Sequence, residues 1–238
     1  MLWFKAWMET RARFLISLFG IMALSSYSVF HGDREALSYT KIDYYYAVLH
    51  FGHSLLATMW VVAVTLLMMG GLLREKAVGA SSFTLALPVS RARVMGVRIA
   101  TGLVQAMVLV AVPWSAMFLV GGIFGKTLSL PQACFHIVLL AGGGLVFFAI
   151  ALLISSLVEG EYTAPIVSYG IVIAIAVALS DQSLRAFSPW SFIMGDGYYD
   201  RHTSLLVGPI PWMHVVVYVL LAAILTGVSV KLTQRREF

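Results

Sequence analysis

The chain has 238 residues, 60% of them apolar and 11% charged, with 16 Lys and Arg against 11 Asp and Glu and a formal net charge of +5. An apolar share this far above that of a water-soluble domain excludes a soluble enzyme or binding module and points to an integral membrane protein. The lone Cys134 excludes an intrachain disulfide.

Residues 1–13 come first. Lys5, Glu9 and Arg13 recur every four residues, with Trp3, Phe4, Trp7 and Met8 on the opposite side. That spacing predicts an interfacial amphipathic helix. The competing reading is a cleaved signal peptide, since the basic residues precede an apolar run ending in the small residues Ala23 to Ser26. Six charge-free windows follow, at 14–32, 44–73, 99–125, 127–158, 162–180 and 202–230. Each holds the roughly 20 apolar residues that cross a bilayer as helix, the form that satisfies backbone amides in lipid. The alternation of a membrane β-barrel is absent. The expected fold is therefore all-α, one polytopic membrane domain over 1–238 with six transmembrane helices. Pro113 and Pro165 are expected to kink the third and fifth of these, and Gly121, Gly122 and Gly142 to Gly144 to permit close helix approach.

Basic residues set the orientation, because cytoplasmic flanks hold an excess of Lys and Arg. With both termini cytoplasmic, Lys5, Arg11, Arg13, Arg74, Lys76, Arg91, Arg93, Arg98, Lys231, Arg235 and Arg236 lie inside. Only Arg34, Lys41, Lys126, Arg185 and Arg201 lie outside, among acidic residues. The positive charge thus addresses a membrane surface and not nucleic acid.

Two polar segments interrupt the windows. The outer one, 181–212, is rich in aromatics and turn formers, and reads either as an aromatic belt at the interface or as a segment turning back into the bundle. The inner one, 74–98, reads REKAVGASSFTLALPVSRARVMGVR. Ser81 to Leu87 can form a short helix bearing Phe83, Leu85 and Leu87; Pro88 ends it, and Ser90 caps the helix that follows. Physics alone leaves two readings: a basic connector on anionic lipid, or a transverse helix gripping a soluble partner.

Other residues suggest chemistry that their context weakens. GGIFGKT at 121–127 imitates a phosphate-binding loop, but that motif needs glycine where this chain has Val120. His50 and His53, one turn apart, are candidate metal ligands with His31 and Asp43 nearby; the six histidines together could instead make the outer surface sensitive to pH. Ser54 beside His53 points elsewhere on a helix, so no nucleophile and base converge and no catalytic residue is expected. None of the six windows holds the mid-depth charge of an ion-coupled carrier.

The succession of charged residues after a span, a glycine, an apolar run, then LALPVSR and a new span is similar to the first cytoplasmic loop of type 2 ABC transporter permeases. The N-terminal interfacial helix, six spans and extended outer segment extend the resemblance over nearly the whole chain. It implies a permease subunit of an ATP-driven exporter, in a bacterial inner membrane, paired with a second permease copy or homologue. Two cytoplasmic ABC ATPase subunits would bind ATP and Mg, so this chain would carry no cofactor and no catalysis of its own. It also implies coupling roles for Glu75, Gly79, Phe83, Leu87, Pro88, Ser90 and Arg91. The acidic residue that the family often carries in the loop helix is replaced by Ser81, Ser82 and Thr84. A membrane anchor or sensor recruiting a soluble protein through 74–98, and a small channel or facilitator, are the alternatives.

Overall fold

A computed structural model describes residues 2–38, 48, 52–68, 90–123, 125, 129–158, 163–200 and 205–235, with the side chains of 31–38 and 91 left aside. The described residues form seven α-helices and no strand: α1 (Leu2–Ser38), α2 (His53–Leu67), α3 (Arg91–Ile123), α4 (Leu130–Leu157), α5 (Thr163–Ala178), the short α6 (Pro189–Met194) and α7 (Trp212–Arg235). Every one of the six charge-free windows contains a helix. In α1, α3, α4 and α7 the apolar stretch is long enough to cross a membrane, whereas α2 and α5, at 15 and 16 residues, are shorter. In length and composition these helices are those of a helical membrane protein.

Two expectations are corrected. Residues 1–13 do not form a helix apart from the first apolar run; α1 continues unbroken from Leu2 to Ser38. The physical reason is that nothing in this stretch breaks a helix. There is no proline, and the Lys5–Glu9 pair at 3.8 Å supports the first turns. Pro165 lies in the first turn of α5, where its missing N–H has no intrahelical partner to lose, so it starts the helix and does not bend it. Pro113, by contrast, does sit inside α3.

α4 is the hub. Two-thirds of its best apolar window (67%) is buried against other helices, compared with 17% for α7 and 28% for α1, which leave broad apolar faces outward. Between helices in lipid there is little hydrophobic gain, so small residues and interhelical hydrogen bonds decide which faces meet. The glycines of α4 show this residue by residue. A Cβ on Gly142 would meet Val215 of α7 at 3.1 Å; on Gly143 it would meet Ile193 and Phe192 of α6 at 2.7 and 2.8 Å; on Gly144 it would overlap the Trp60 indole of α2. Three successive residues point about 100° apart on a helix, so one glycine run admits three neighbours.

Directions follow from the contacts. The His53 and Trp114 rings meet at one end of α2 and α3, with centroids 5.6 Å apart, while Arg98 Nη2 donates to the Met68 carbonyl at the other end, 3.0 Å away. These two helices are therefore antiparallel. α4 runs with α2, placing His136 beside His53 and Gly144 beside Trp60. α7 runs with α4, from Val215 at Gly142 to Ser229, which donates to the Leu152 carbonyl at 3.4 Å. One end of the bundle thus gathers the start of α3 with Arg93 and Arg98, the end of α4, and the end of α7 with Lys231 and Arg235. The other end carries the described part of residues 181–210.

Four of the buried hydroxyls are satisfied within their own helices, which lets them sit at depth. Thr10 donates to Ala6, Ser25 to Ile21, Ser168 to Ala164 and Thr233 to Ser229, each to the carbonyl one turn back. Across helices, Trp60 Nε1 donates to Ala106 of α3 at 2.9 Å and Gln105 Nε2 to Thr10 of α1 at 2.8 Å.

Candidate functional site

The most developed polar arrangement among the described residues lies where the segment after α5 folds back onto the helices. Ser188 opens α6 by accepting from the Ser191 amide, with Pro189 in the first turn where its fixed φ suits a helix start. Gly195, at φ 75°, then closes the helix in the left-handed region, and the chain returns through a Tyr199–Leu206 bridge. Pro189, Phe192 and Ile193 are buried. Phe192 is the anchor, seated on Gly143, stacked on His214 with centroids 5.9 Å apart and packed on Tyr218 at 4.9 Å.

Gln132 in the first turn of α4 pins the returning segment. Its side-chain Nε2 donates to the Leu206 carbonyl at 2.8 Å while its Oε1 accepts from the Leu206 amide at 3.0 Å. One turn further, the buried His136 takes over. Its Nδ1 lies 2.7 Å from the Gln132 carbonyl, and a carbonyl only accepts, so Nδ1 holds the proton. Nε2 then presents a lone pair to the Tyr199 hydroxyl, 2.9 Å away. Burial pushes the Tyr199 phenol up from its ordinary range, and the negative charge of Asp196 pushes the same way, so Tyr199 stays a donor well past the pH at which an exposed tyrosine ionises.

His53, from α2, completes the cluster. Its Nε2 donates to the Ile193 carbonyl at 2.6 Å, and its ring lies 4.6 Å from His136; Trp114 lies 4.6 Å from His136 on α3. Helices α2, α3, α4 and the returning segment thus converge on two imidazoles, an indole and a phenol. Chemically this is a latch: three side chains hold the main chain or hydroxyl of a segment that carries little helical structure of its own. Replacing Gly195 by Ala should loosen this latch by about 1–2 kcal/mol, since φ 75° disfavours a Cβ and that Cβ would stand 2.9 Å from the Tyr199 ring; thermal unfolding in mild detergent measures it.

The residues singled out in the sequence fare unequally. Glu75, Gly79, Phe83, Leu87 and Pro88 lie outside the described residues. Ser90 does cap α3, its Oγ accepting from the Arg93 amide at 3.3 Å, and Arg91 is the first residue of that helix. His50 and the side chain of His31 also fall outside what is described. His53 and His136 are buried, 1% and 0% exposed, so they are not part of the pH-responsive outer surface that the histidine count suggests. His53 turns its Nε2 to a carbonyl, and among the described residues no group of three His, Cys, Asp or Glu could hold a metal ion. The pairing of His53 with His136 is not legible from spacing along one helix, nor are Trp114, Tyr199 and Gln132; the remaining signal is only that several polar aromatics occupy the same ends of different windows. Compared with models of protein families and with curated proteins, the chain matches none.

Proposed function

We propose that this protein is the membrane subunit of an ATP-driven exporter of the type 2 ABC permease kind, crossing the membrane six times as a dimer with its basic end in the cytoplasm. One observation carries the reading. Residues 69–89, with their REKAVG…LALPVSR pattern, connect the adjacent ends of two antiparallel helices that Arg98 ties together through the Met68 carbonyl. A force applied to that connection enters α3 directly, because Ser90 caps the helix and its 33 residues continue without a break into the core. The excess of Lys and Arg at that end supports a cytoplasmic placement. Two soluble ATPase subunits binding ATP and Mg would press on 79–88 in the two protomers. Tilting of α3 would then be transmitted to the latch at the far end through Trp114, which packs on His136.

The test is recovery of the ATPase with the solubilised protein. Leu87→Glu and Gly79→Glu should each weaken it by about 30-fold or more, the scale of losing an interface anchor, with insertion in the membrane unchanged. Undiminished recovery together with undiminished transport overturns the docking role. An ATPase that never accompanies even the native protein leaves the anchor or the channel as the better reading.

A further inference from the structure

We infer that the groove between α5 and the returning segment is a binding site for a phospholipid with an ethanolamine headgroup. The groove has a volume of about 580 Å³, within the range of small-molecule sites. Its wall is the apolar face of α5, with Val172, Ile173 and Val177, and its floor is the Trp190 ring. At the end where that apolar face stops, Arg185 and Asp196 form an ion pair, Nη2 to Oδ2 at 2.8 Å, with side chains 54% and 27% exposed. Ile173 and Val177 are exposed to the surroundings at 52% and 66%, which in a bilayer means exposed to acyl chains.

Charge complementarity names the occupant. An acyl chain fits the wall and floor. The headgroup then meets both signs at once: Arg185 has five N–H donors, of which the bond to Asp196 uses one, leaving donors for a phosphate, and the Asp196 carboxylate can accept from an ammonium. A zwitterion presents both partners. An anionic glycerol headgroup brings its charge beside Asp196 with no cation to offset it. A choline headgroup carries its positive charge without any N–H to donate. The order expected is ethanolamine over choline over glycerol. This inference rests on the membrane placement of the helices and not on the exporter reading.

The experiment uses the full chain in vesicles of equal ethanolamine, choline and glycerol phospholipid with matched chains, followed by native mass spectrometry of the lipid retained. The native protein should retain the ethanolamine lipid about threefold to fivefold over either competitor, the scale of one exposed charge pair. Asp196→Asn should erase the preference over choline, and Arg185→Gln should lower retention of all three. Ile173→Trp, at an exposed site away from the ion pair, should fill the groove and abolish retention without unfolding the chain. Equal retention by the native protein and Ile173→Trp overturns the proposal, as does retention of the glycerol lipid at or above the ethanolamine lipid. Efficient crosslinking of Val177→Cys between two copies in the native membrane also overturns it, because a second copy would then fill the groove. Recovery of an ATPase, measured on the same preparations, is indifferent to all these outcomes, so failure here and failure of the exporter reading are told apart.

Discussion

Substituting Gly144 with Val should be the most damaging single change in the bundle, costing about 1–3 kcal/mol if the helices part and about 2–6 kcal/mol if the indole also loses its hydrogen bond. The new Cβ would fall within the Trp60 indole, which is fully buried and donates Nε1–H to the Ala106 carbonyl. Relief requires either that α2 and α4 part, opening voids along the hub, or that the indole swing out and leave Ala106 without its donor. The first is overpacking, typically 1–3 kcal/mol, and the second adds roughly 1–3 kcal/mol for an unmade buried hydrogen bond. Two comparisons give the claim its edge. At Gly102 the nearest obstacle is the terminal methyl of Met68, the far end of a flexible side chain, so Ala there should cost much less. At Gly170 a Cβ would find no atom within 4 Å, and Ala should be neutral to within about 1 kcal/mol. Thermal unfolding in detergent ranks the three, and a Gly144→Val protein as stable as the native one would refute the packing account.

Breaking the Tyr199–His136 hydrogen bond should lift the returning segment off the bundle. Tyr199→Phe keeps the ring and its packing but leaves the buried His136 Nε2 facing no donor from residue 199, a loss of about 1–3 kcal/mol. His136→Leu removes the acceptor and also the contacts with His53 and Trp114, so it should cost more. Because the two partners serve one bond, the double variant should fall short of the sum by about 0.5–3 kcal/mol. Leu206 provides the reporter. It is 4% exposed and held by Gln132, so a cysteine placed there in a Cys134→Ser background reacts with a membrane-impermeant maleimide only when the segment opens. Tyr199→Phe should raise that rate about tenfold. A rate unchanged in both single variants would mean that Phe192 in its Gly143 seat, and not the polar latch, holds the segment down.

How much of this architecture is legible in the sequence depends on the range of the interaction. Charge-free runs locate helices in all six windows because burial in lipid is decided locally, residue by residue. The Ser90 cap is readable for the same reason, since its acceptor and the Arg93 amide lie three residues apart. The glycines at 142–144 announce close approach, but not which three elements they admit, because Val215, Phe192 and Trp60 come from distant parts of the chain. The histidine cluster escapes a linear reading for that reason too: spacing pairs His53 with His50, three residues earlier in the chain, whereas its ring partner is on α4. A search for Asp, Glu, Lys and Arg at depth also passes over buried imidazoles. The continuity of α1 is hidden because a change from amphipathic to apolar pattern resembles a boundary, although pattern governs what a helix faces and not where it stops.

That continuity sets a mechanical limit. Thirty-seven residues at 1.5 Å each make a rod of about 55 Å, while the hydrocarbon slab is about 30 Å thick. Even leaning by about 40°, the steep end of what spanning helices adopt, only about 39 Å of it can be immersed. About 16 Å must protrude, shared between two charged ends: Lys5, Glu9, Arg11 and Arg13 mark one tip, with Trp3 and Phe4 beside them to grip the headgroup zone, and Asp33, Arg34 and Glu35 mark the other. With no proline to absorb bending, sideways pressure on the first tip would swing the opposite extremity the other way about the Thr10–Gln105 contact, as an oar turns in its rowlock.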